Sequence, residues 1–383
     1  MTAFKTIDEA GDLKGKRVIL RLDLNVPISD GKIENDFRIR QSLPTVEFLK
    51  KAGAKIIIIS HIEGKGEGKG AETLLPVFLY FKNKFSVEFV KKYPSHELDQ
   101  ALENCQNGEI VLLENLRLDP REKANDDSFS KELAGMGDIY VDEAFSAAHR
   151  KHASIVGIPK YIPGYAGLLF KKEVENLSRA FEPAKPFLFV LGGAKFETKM
   201  PLVDKFETNA DYIFVGGALA NDFFREKGLE VGKSVVSRDP ETKKALKKLL
   251  DNKKIILPID VVVENAGVRS VKKPEEVLPD DVIWDAGPET VSELKKLVND
   301  SKFVLWNGPI GNCEIGFKEG TEELAKVIAE SGADSVVGGG DTIAAIESLG
   351  LYDKFTFLST AGGAMLDFLV NENLPGIEAL KKA

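Results

Sequence analysis

The sequence predicts an α/β protein of two similar-sized lobes, each a parallel sheet flanked by helices, joined by a helix and hinge. Short β-branched runs alternate with longer amphipathic stretches throughout, as strands and crossover helices do in a parallel sheet. The 383 residues exceed what one compact core holds and point to two domains or three. The apolar runs also fall into two sets that end differently, so the two halves are distinct.

In the first half the runs are RVILRLDLN, AKIIIISH, EIVLLENLR and DIYVDEAF. They end in side chains that carry charge or hydrogen-bond: Asp23, Asn25, His61 and Arg117. The stretch GKGEGKG at 64–70 reads as a mobile loop after a strand. AGLLFKKEVENLSRAF, from Ala166 to Phe181, has a helical pattern that Pro183 and Pro186 end, which suits a rigid connector and hinge. The second-half runs are PFLFVLGGAK, DYIFVGGALA, KFVLWNGP, DSVVGGGDT and KFTFLSTAGG. These run into glycines, each followed by a helical pattern. From Leu366 the Leu374-Pro375-Gly376 break precedes a short terminal helix whose periodicity fits a cap on either lobe. The division expected is therefore 1–165, a connector at 166–185, a second lobe at 186–365, and 366–383 assigned to the first lobe.

Composition narrows the function. A net charge of -8 argues against nucleic acid as the main partner, because phosphate backbones reward clustered positive charge. A small anion responds only to local charge, and here the arginines are informative. Seven of the 11 lie in the first 150 residues of a chain with 41 lysines. Arginine offers a planar fork matched to carboxylate and phosphate. Cys105 and Cys313 form no CxxC pair and no cluster with histidine, which argues against a disulfide scaffold or structural zinc site and fits a reducing cytoplasm. No apolar run approaches the length needed to span a bilayer, and the N-terminus lacks the apolar stretch of a signal peptide. A cytoplasmic chain with no membrane partner is expected.

Open α/β sheets bind ligands at the carboxyl ends of their strands. One lobe thus presents side-chain donors there. The other presents backbone N–H groups at helix N-termini, which suits nucleotide phosphates. Familiar nucleotide signatures are absent. GLEVGKS at Gly228–Ser234 is one residue short of a P-loop and follows a helical segment rather than a strand. No GxGxxG opens a helix after a strand, and the protein-kinase set is missing. LGGAKFETK instead places Lys195 and Lys199 four residues apart, on one face if a helix starts there.

Together with WNGPIGNCE, VGGGDT and STAGGA, that loop is similar to the nucleotide-side motifs of phosphoglycerate kinases. RLDLNVP, FRIR, the Ser60-His61 pair, LLENLR and AAHRKHAS resemble the substrate-side motifs of the same family, in order from Arg17 to Leu380. The resemblance implies reversible transfer between 1,3-bisphosphoglycerate with ADP and 3-phosphoglycerate with ATP, with magnesium on the nucleotide, in a monomer. It implies that Asp23 and Asn25 take the substrate hydroxyl. His61, Arg117 and Arg150 hold the non-transferring phosphate, and Arg38 reaches the carboxyl and the phosphoryl group in transit. On the nucleotide side it implies Lys195 and Lys199 on the phosphates, with the Gly362-Gly363 helix start beside them. Gly216, Gly217, Gly287 and Asn307 would line the base and sugar pocket, with Glu314 on the ribose. Within Gly338, Gly339, Gly340, Asp341 and Thr342, Asp341 is the magnesium partner. His149 and His152 read as structural, and His96 as a solvated surface residue.

The chain departs from the family's pattern at four points. Leucine–glycine–arginine–proline is usual after the serine–histidine pair; here Ile62-Glu63-Gly64-Lys65 stands, and Lys65 or Lys69 is expected to supply the missing charge. Thr198 replaces a residue often acidic, and Ala361 the first of three glycines, which requires a negative φ. Glu143 stands where aspartate is usual. Alternatives compatible with these departures are a kinase for another acyl phosphate, or a nucleotide-binding scaffold without catalysis. A dehydrogenase would need a fingerprint that the sequence lacks.

Overall fold

In the computed structural model, which describes residues 4–63, 72–194 and 196–381, the chain divides into two compact units. One comprises residues up to Glu175 together with those from Asn371 on; the other runs from Asn176 to Val370.

The first unit is built on a six-stranded parallel sheet. Its strands are β1 (Arg17–Arg21), β2 (Lys55–Ile59), β3 (Val87–Val90), β4 (Ile110–Leu113), β5 (Ile139–Asp142) and β6 (Gly164–Ala166), in spatial order β3-β4-β2-β1-β5-β6. The inner strands are buried on both faces, so they read as continuous apolar runs rather than alternating ones. Val18, Leu20, Ile56, Ile58 and Leu112 form one face of the core. Helix α1 (Phe37–Lys51) follows β1, and its buried Ile39, Val46 and Leu49 join that face. Helix α2 (Leu168–Ser178) follows β6.

The second unit repeats the plan. Strands β7 (Phe187–Leu191), β8 (Tyr212–Val215) and β9 (Ile255–Ile256) belong to a parallel sheet, as do β13 (Phe303–Asn307), β14 (Asp334–Gly338) and β15 (Phe357–Leu358). The order is β9-β8-β7-β13-β14-β15. Phe187 and Phe189 of the fully buried β7 both meet the Phe206 ring, at 5.8 and 5.1 Å between centroids. Phe206 ends helix α3 (Phe196–Phe206), which fixes that helix across the sheet face. The other helices that matter for the site are α4 (Ala218–Glu226), α5 (Pro288–Asp300), α6 (Gly340–Ser348) and α7 (Gly363–Asn371). A final helix, α8 (Pro375–Lys381), is anchored to the first unit, where the Gly376 N–H donates to the Ala148 carbonyl at 2.8 Å.

All nine apolar runs read from the sequence are strands. A three-stranded antiparallel sheet in the second unit was not foreseen: β10 (Val261–Asn265), β11 (Val268–Lys272) and β12 (Val282–Ala286), in order β11-β10-β12. Its hairpin turns on Ala266 and Gly267, both at positive φ, a two-residue turn of the kind that matches strand twist. One face packs Val261, Val263 and Ile283 against Ala220 and Phe224 of α4. The GLEVGKS segment lies in a loop after α4, bridged to β12 at Gly232–Val282, so it starts no helix after a strand.

Candidate active site

In each unit most of the candidate site residues stand at the carboxyl edge of adjacent parallel strands, which brings together positions far apart in sequence. In the first unit Arg117 follows β4, His61 follows β2, Asp23 and Asn25 follow β1, and Glu143 follows β5. Arg38 comes from the first turn of α1. Its NH1 lies 2.9 Å from Asp23 Oδ2 and donates to the Asn25 carbonyl at 3.0 Å, so two strand-end groups aim the guanidinium. Asp23 also accepts from Ser146 and from the Asn25 N–H. The Asn25 side-chain oxygen accepts the Glu63 N–H at 3.0 Å, so this amide supports the loop after β2 as well.

His61 is 4% exposed. Burial, reinforced by Arg21, Arg117, Arg150 and Arg38, holds its pKa well below 6.5 and keeps the ring neutral. Arg21, at the end of β1 and fully buried, places NH2 2.9 Å from His61 Nδ1. A guanidinium only donates, so Nδ1 is the acceptor and the ring proton sits on Nε2. Arg21 is in turn held by Ser154 Oγ at 2.9 Å, and Ser154 by the buried carboxylate of Glu122. The sequence reading missed Arg21. Its signal was an arginine inside an otherwise apolar strand. Arg150 is half-buried, with Nε 3.3 Å from His149 Nε2. Burial, with the cations Arg117, Arg150 and Arg21 adding to it, lowers His152 to about 4.

Glu143 plays a structural part. Fully buried, it accepts from Thr45 and from the backbone N–H groups of Leu169 and Phe170 at 3.0–3.1 Å, capping α2. Burial raises its carboxyl to about 8 against that hydrogen bonding. A Cβ on Gly167 would lie 1.9 Å from Glu143 Oε2, so the longer carboxylate fits only beside glycine.

In the second unit, glycines end four strands that lie in one set of neighbours: Gly192 after β7, Gly216 after β8, Gly338 at β14, and Gly362 beyond β15. Lys195 lies outside the described residues, as do Gly64, Lys65 and Lys69. Lys199, in α3, sends its ammonium to Asn307 Oδ1 at the end of β13. The residue is half-buried, but its charged end sits deep, and burial lowers it from 10.5 to about 8. Asn307 in turn packs its amide on Met365 Sδ of α7.

Gly217 caps α4 at φ +62, where a Cβ would meet Gly193 N at 2.8 Å; both facts demand glycine. With Ala220, Phe224, Pro258, Trp284, Ala286 and Ile310 it lines an apolar slot, floored on one side by the small sheet. Asp285 stands at the same slot, raised to about 7 by burial. Gly216 and Gly287 are not part of that lining. Gly287 is required by packing: its Cβ would collide with the Asp260 carboxylate, which caps α5 through the N–H groups of Glu289 and Thr290 at 2.9 and 2.7 Å. Gly340 and Asp341 open α6, with Asp341 exposed and the preceding Gly339 at φ +107. Thr342 Oγ1 is buried and makes no hydrogen bond within the described protein. Glu314, in the turn Cys313–Ile315, is exposed. Ala361 is buried without positive φ, and Gly362 takes the left-handed position at +54 before α7 opens at Gly363.

Among the described residues no group of three or more His, Cys, Asp or Glu could hold a metal ion. A single exposed carboxylate at Asp341 fits the way magnesium binds with nucleotide phosphates, through one or two carboxylates rather than a protein cage. No helix among the described residues is long and apolar enough to cross a membrane.

A family model described as phosphoglycerate kinase matches residues 7–372. A phosphoglycerate kinase of Dictyoglomus turgidum is 40% identical, with 97% of this chain and 96% of that protein covered. One of Clostridium kluyveri is 40% identical over 98% of each. Among solved structures, phosphoglycerate kinase from Coxiella burnetii matches with TM-score 0.83 at 36% identity over 98% of each chain. That from Pyrococcus horikoshii matches with TM-score 0.88 at 32% identity, over 99% of this chain and 98% of that one.

Proposed function

The chain belongs to the phosphoglycerate kinase family, a kinase with a carboxyl group as acceptor, and on that premise we propose magnesium-dependent, direct in-line transfer between 1,3-bisphosphoglycerate/ADP and 3-phosphoglycerate/ATP. The observation that carries this reading is the division of donors at the strand ends. Cationic side chains converge at one carboxyl edge; glycine turns and one deeply set lysine occupy the other.

In this reading Asp23 and Asn25 orient Arg38 and accept the substrate hydroxyl. The neutral His61 donates through Nε2 to the non-transferring phosphate, flanked by Arg117 and Arg150. The nucleotide base lies in the slot at Gly217, near Gly216 and Gly287, with Glu314 on the ribose. Lys195 and Lys199 balance the phosphates, and Asn307 sets the direction of the Lys199 ammonium. The N–H groups at Gly338, Gly339 and Gly340 and at Gly362 and Gly363 face developing negative charge, with Thr342 completing the α6 turn. Magnesium held by Asp341 and the nucleotide would draw charge from the phosphate oxygens. An acyl phosphate is already activated, so no protein nucleophile is needed, and the acceleration comes from positioning and charge stabilisation. Water competes for the phosphoryl group, so the two half-sites act by closing on one another about the connector at 166–185. A cytoplasmic monomer suffices for this cycle.

A coupled assay with ATP and 3-phosphoglycerate tests the reading. Turnover that needs both substrates and magnesium is expected. Nucleotide binding without turnover would favour a scaffold, and turnover with another carboxylic acid alone would reassign the acceptor.

A further inference from the structure

We infer that Glu63 is a built-in competitor for the substrate phosphate: its carboxylate occupies Arg117 until a phosphorylated acid displaces it, and this sets the affinity of the first-unit site. The inference rests on the proposed reading of that site and adds a residue to which the reading assigns no role.

Arg117 donates through NH1 to Glu63 Oε1. The arginine side chain is 1% exposed and the glutamate 39%, so the acid approaches a buried cation from the solvent side. Lys123 Nζ stands 3.5 Å from the same oxygen. Two cations thus converge on one carboxylate oxygen, at the strand edge where His61 also stands. The acid does not arrive there by drift. Its N–H is held by Asn25 Oδ1 at 3.0 Å, and the preceding Ile62 is clamped by Asn115 through both its N–H and its carbonyl, at 3.2 and 2.7 Å.

The pairing leaves Arg117 incomplete. Its Nε and NH2 are buried and have no hydrogen-bond partner within the described protein. Burial pulls the guanidinium pKa down, with the Glu63 charge only partly opposing it. A buried donor without an acceptor is costly, and a one-point contact leaves the bidentate capacity of arginine unused. A phosphate brings three acceptor oxygens and more charge than a carboxylate, so exchanging Glu63 for it satisfies Arg117 better. The sequence fits this arrangement. Where the related pattern continues leucine–glycine–arginine–proline, this chain has Ile62-Glu63-Gly64-Lys65. It therefore trades the arginine for a lysine one position later and gains an acid beside it; the lost arginine fork and the added negative charge both weaken phosphate binding.

Steady-state KM and calorimetric Kd for 3-phosphoglycerate, measured on the full chain, test this. Glu63→Gln should lower both about tenfold, the scale of one close charge pair at a binding site, with the larger part of the change in KM rather than kcat. Glu63→Asp, which withdraws the carboxylate by one methylene, should move KM in the same direction by less. In an Arg117→Gln background the Glu63→Gln effect should shrink. A KM that rises or stays put in Glu63→Gln, while Arg117→Gln raises it, would overturn the inference and make Glu63 a residue that orients Arg117. An Arg117→Gln enzyme with unchanged KM would remove the site reading itself, and the inference with it.

Discussion

Raising the pH from 7 to 9 is predicted to weaken nucleotide binding by up to about tenfold through Lys199 alone. The perturbation acts on one proton. Burial brings the Lys199 ammonium from 10.5 to about 8, so about nine in ten molecules carry the charge at pH 7 and about one in ten at pH 9. Only the charged form makes an ion pair with a phosphate oxygen, so affinity falls by at most the same factor, about 1.4 kcal/mol. The sign follows from the direction of the shift. A lysine with a lowered pKa loses its charge as pH rises through 8, so affinity is full below that value and declines above it. Calorimetric titration with magnesium–ATP at pH 7, 8 and 9 and constant ionic strength measures the slope. Lys199→Arg supplies the control, since a guanidinium stays charged throughout, and its curve should be flat over the same range. Parallel slopes in the two proteins would refute the reasoning, either because Lys199 does not meet the phosphates or because its ammonium is not desolvated.

Three further outcomes are expected. Arg38→Ala should reduce turnover on the order of a thousandfold in the coupled assay, the scale of charge-neutralising arginines in phosphoryl transfer; near-normal turnover would remove Arg38 from the reaction. Glu143, raised from 4.5 to about 8, holds in the folded state a proton that the unfolded chain releases. First-unit stability should therefore fall by a few kcal/mol as pH rises from about 4.5 to 8, and Glu143→Gln should flatten that dependence in calorimetric melting; parallel melting curves would contradict it. Gly217→Ala must bear a positive φ costing about 1–2 kcal/mol and push against Gly193 N at 2.8 Å, so magnesium–ATP Kd should rise. Unchanged affinity would detach the slot from nucleotide binding.

The sequence by itself determined the two parallel sheets and which residues end their strands. Strands buried on both faces must be continuous apolar runs, so β1, β2, β4, β5, β7, β8, β13 and β14 were all visible in it, and the two-residue edge strand β15 showed within KFTFLSTAGG. The residue that ends such a strand reaches the carboxyl edge of the sheet whatever the neighbouring strand is, which is why Asp23, His61 and Arg117 could be placed there from local pattern. Ala361 could likewise be judged from φ alone. Tertiary structure decided everything that depends on which strand lies beside which. Arg21 fixes the His61 tautomer only because β1 and β2 are neighbours. Gly287 is required by the Asp260 carboxylate across the start of α5, a packing demand that looks the same in sequence as a ligand-binding turn. The small antiparallel sheet escaped because its outer strand β11 is largely exposed and carries no apolar run. Glu63 and Arg117 are 54 residues apart, and no periodicity couples positions at that distance. Their pairing arises when β2 and β4 deliver two loops to one edge, and only there does an acid meet the cation that a phosphate would claim.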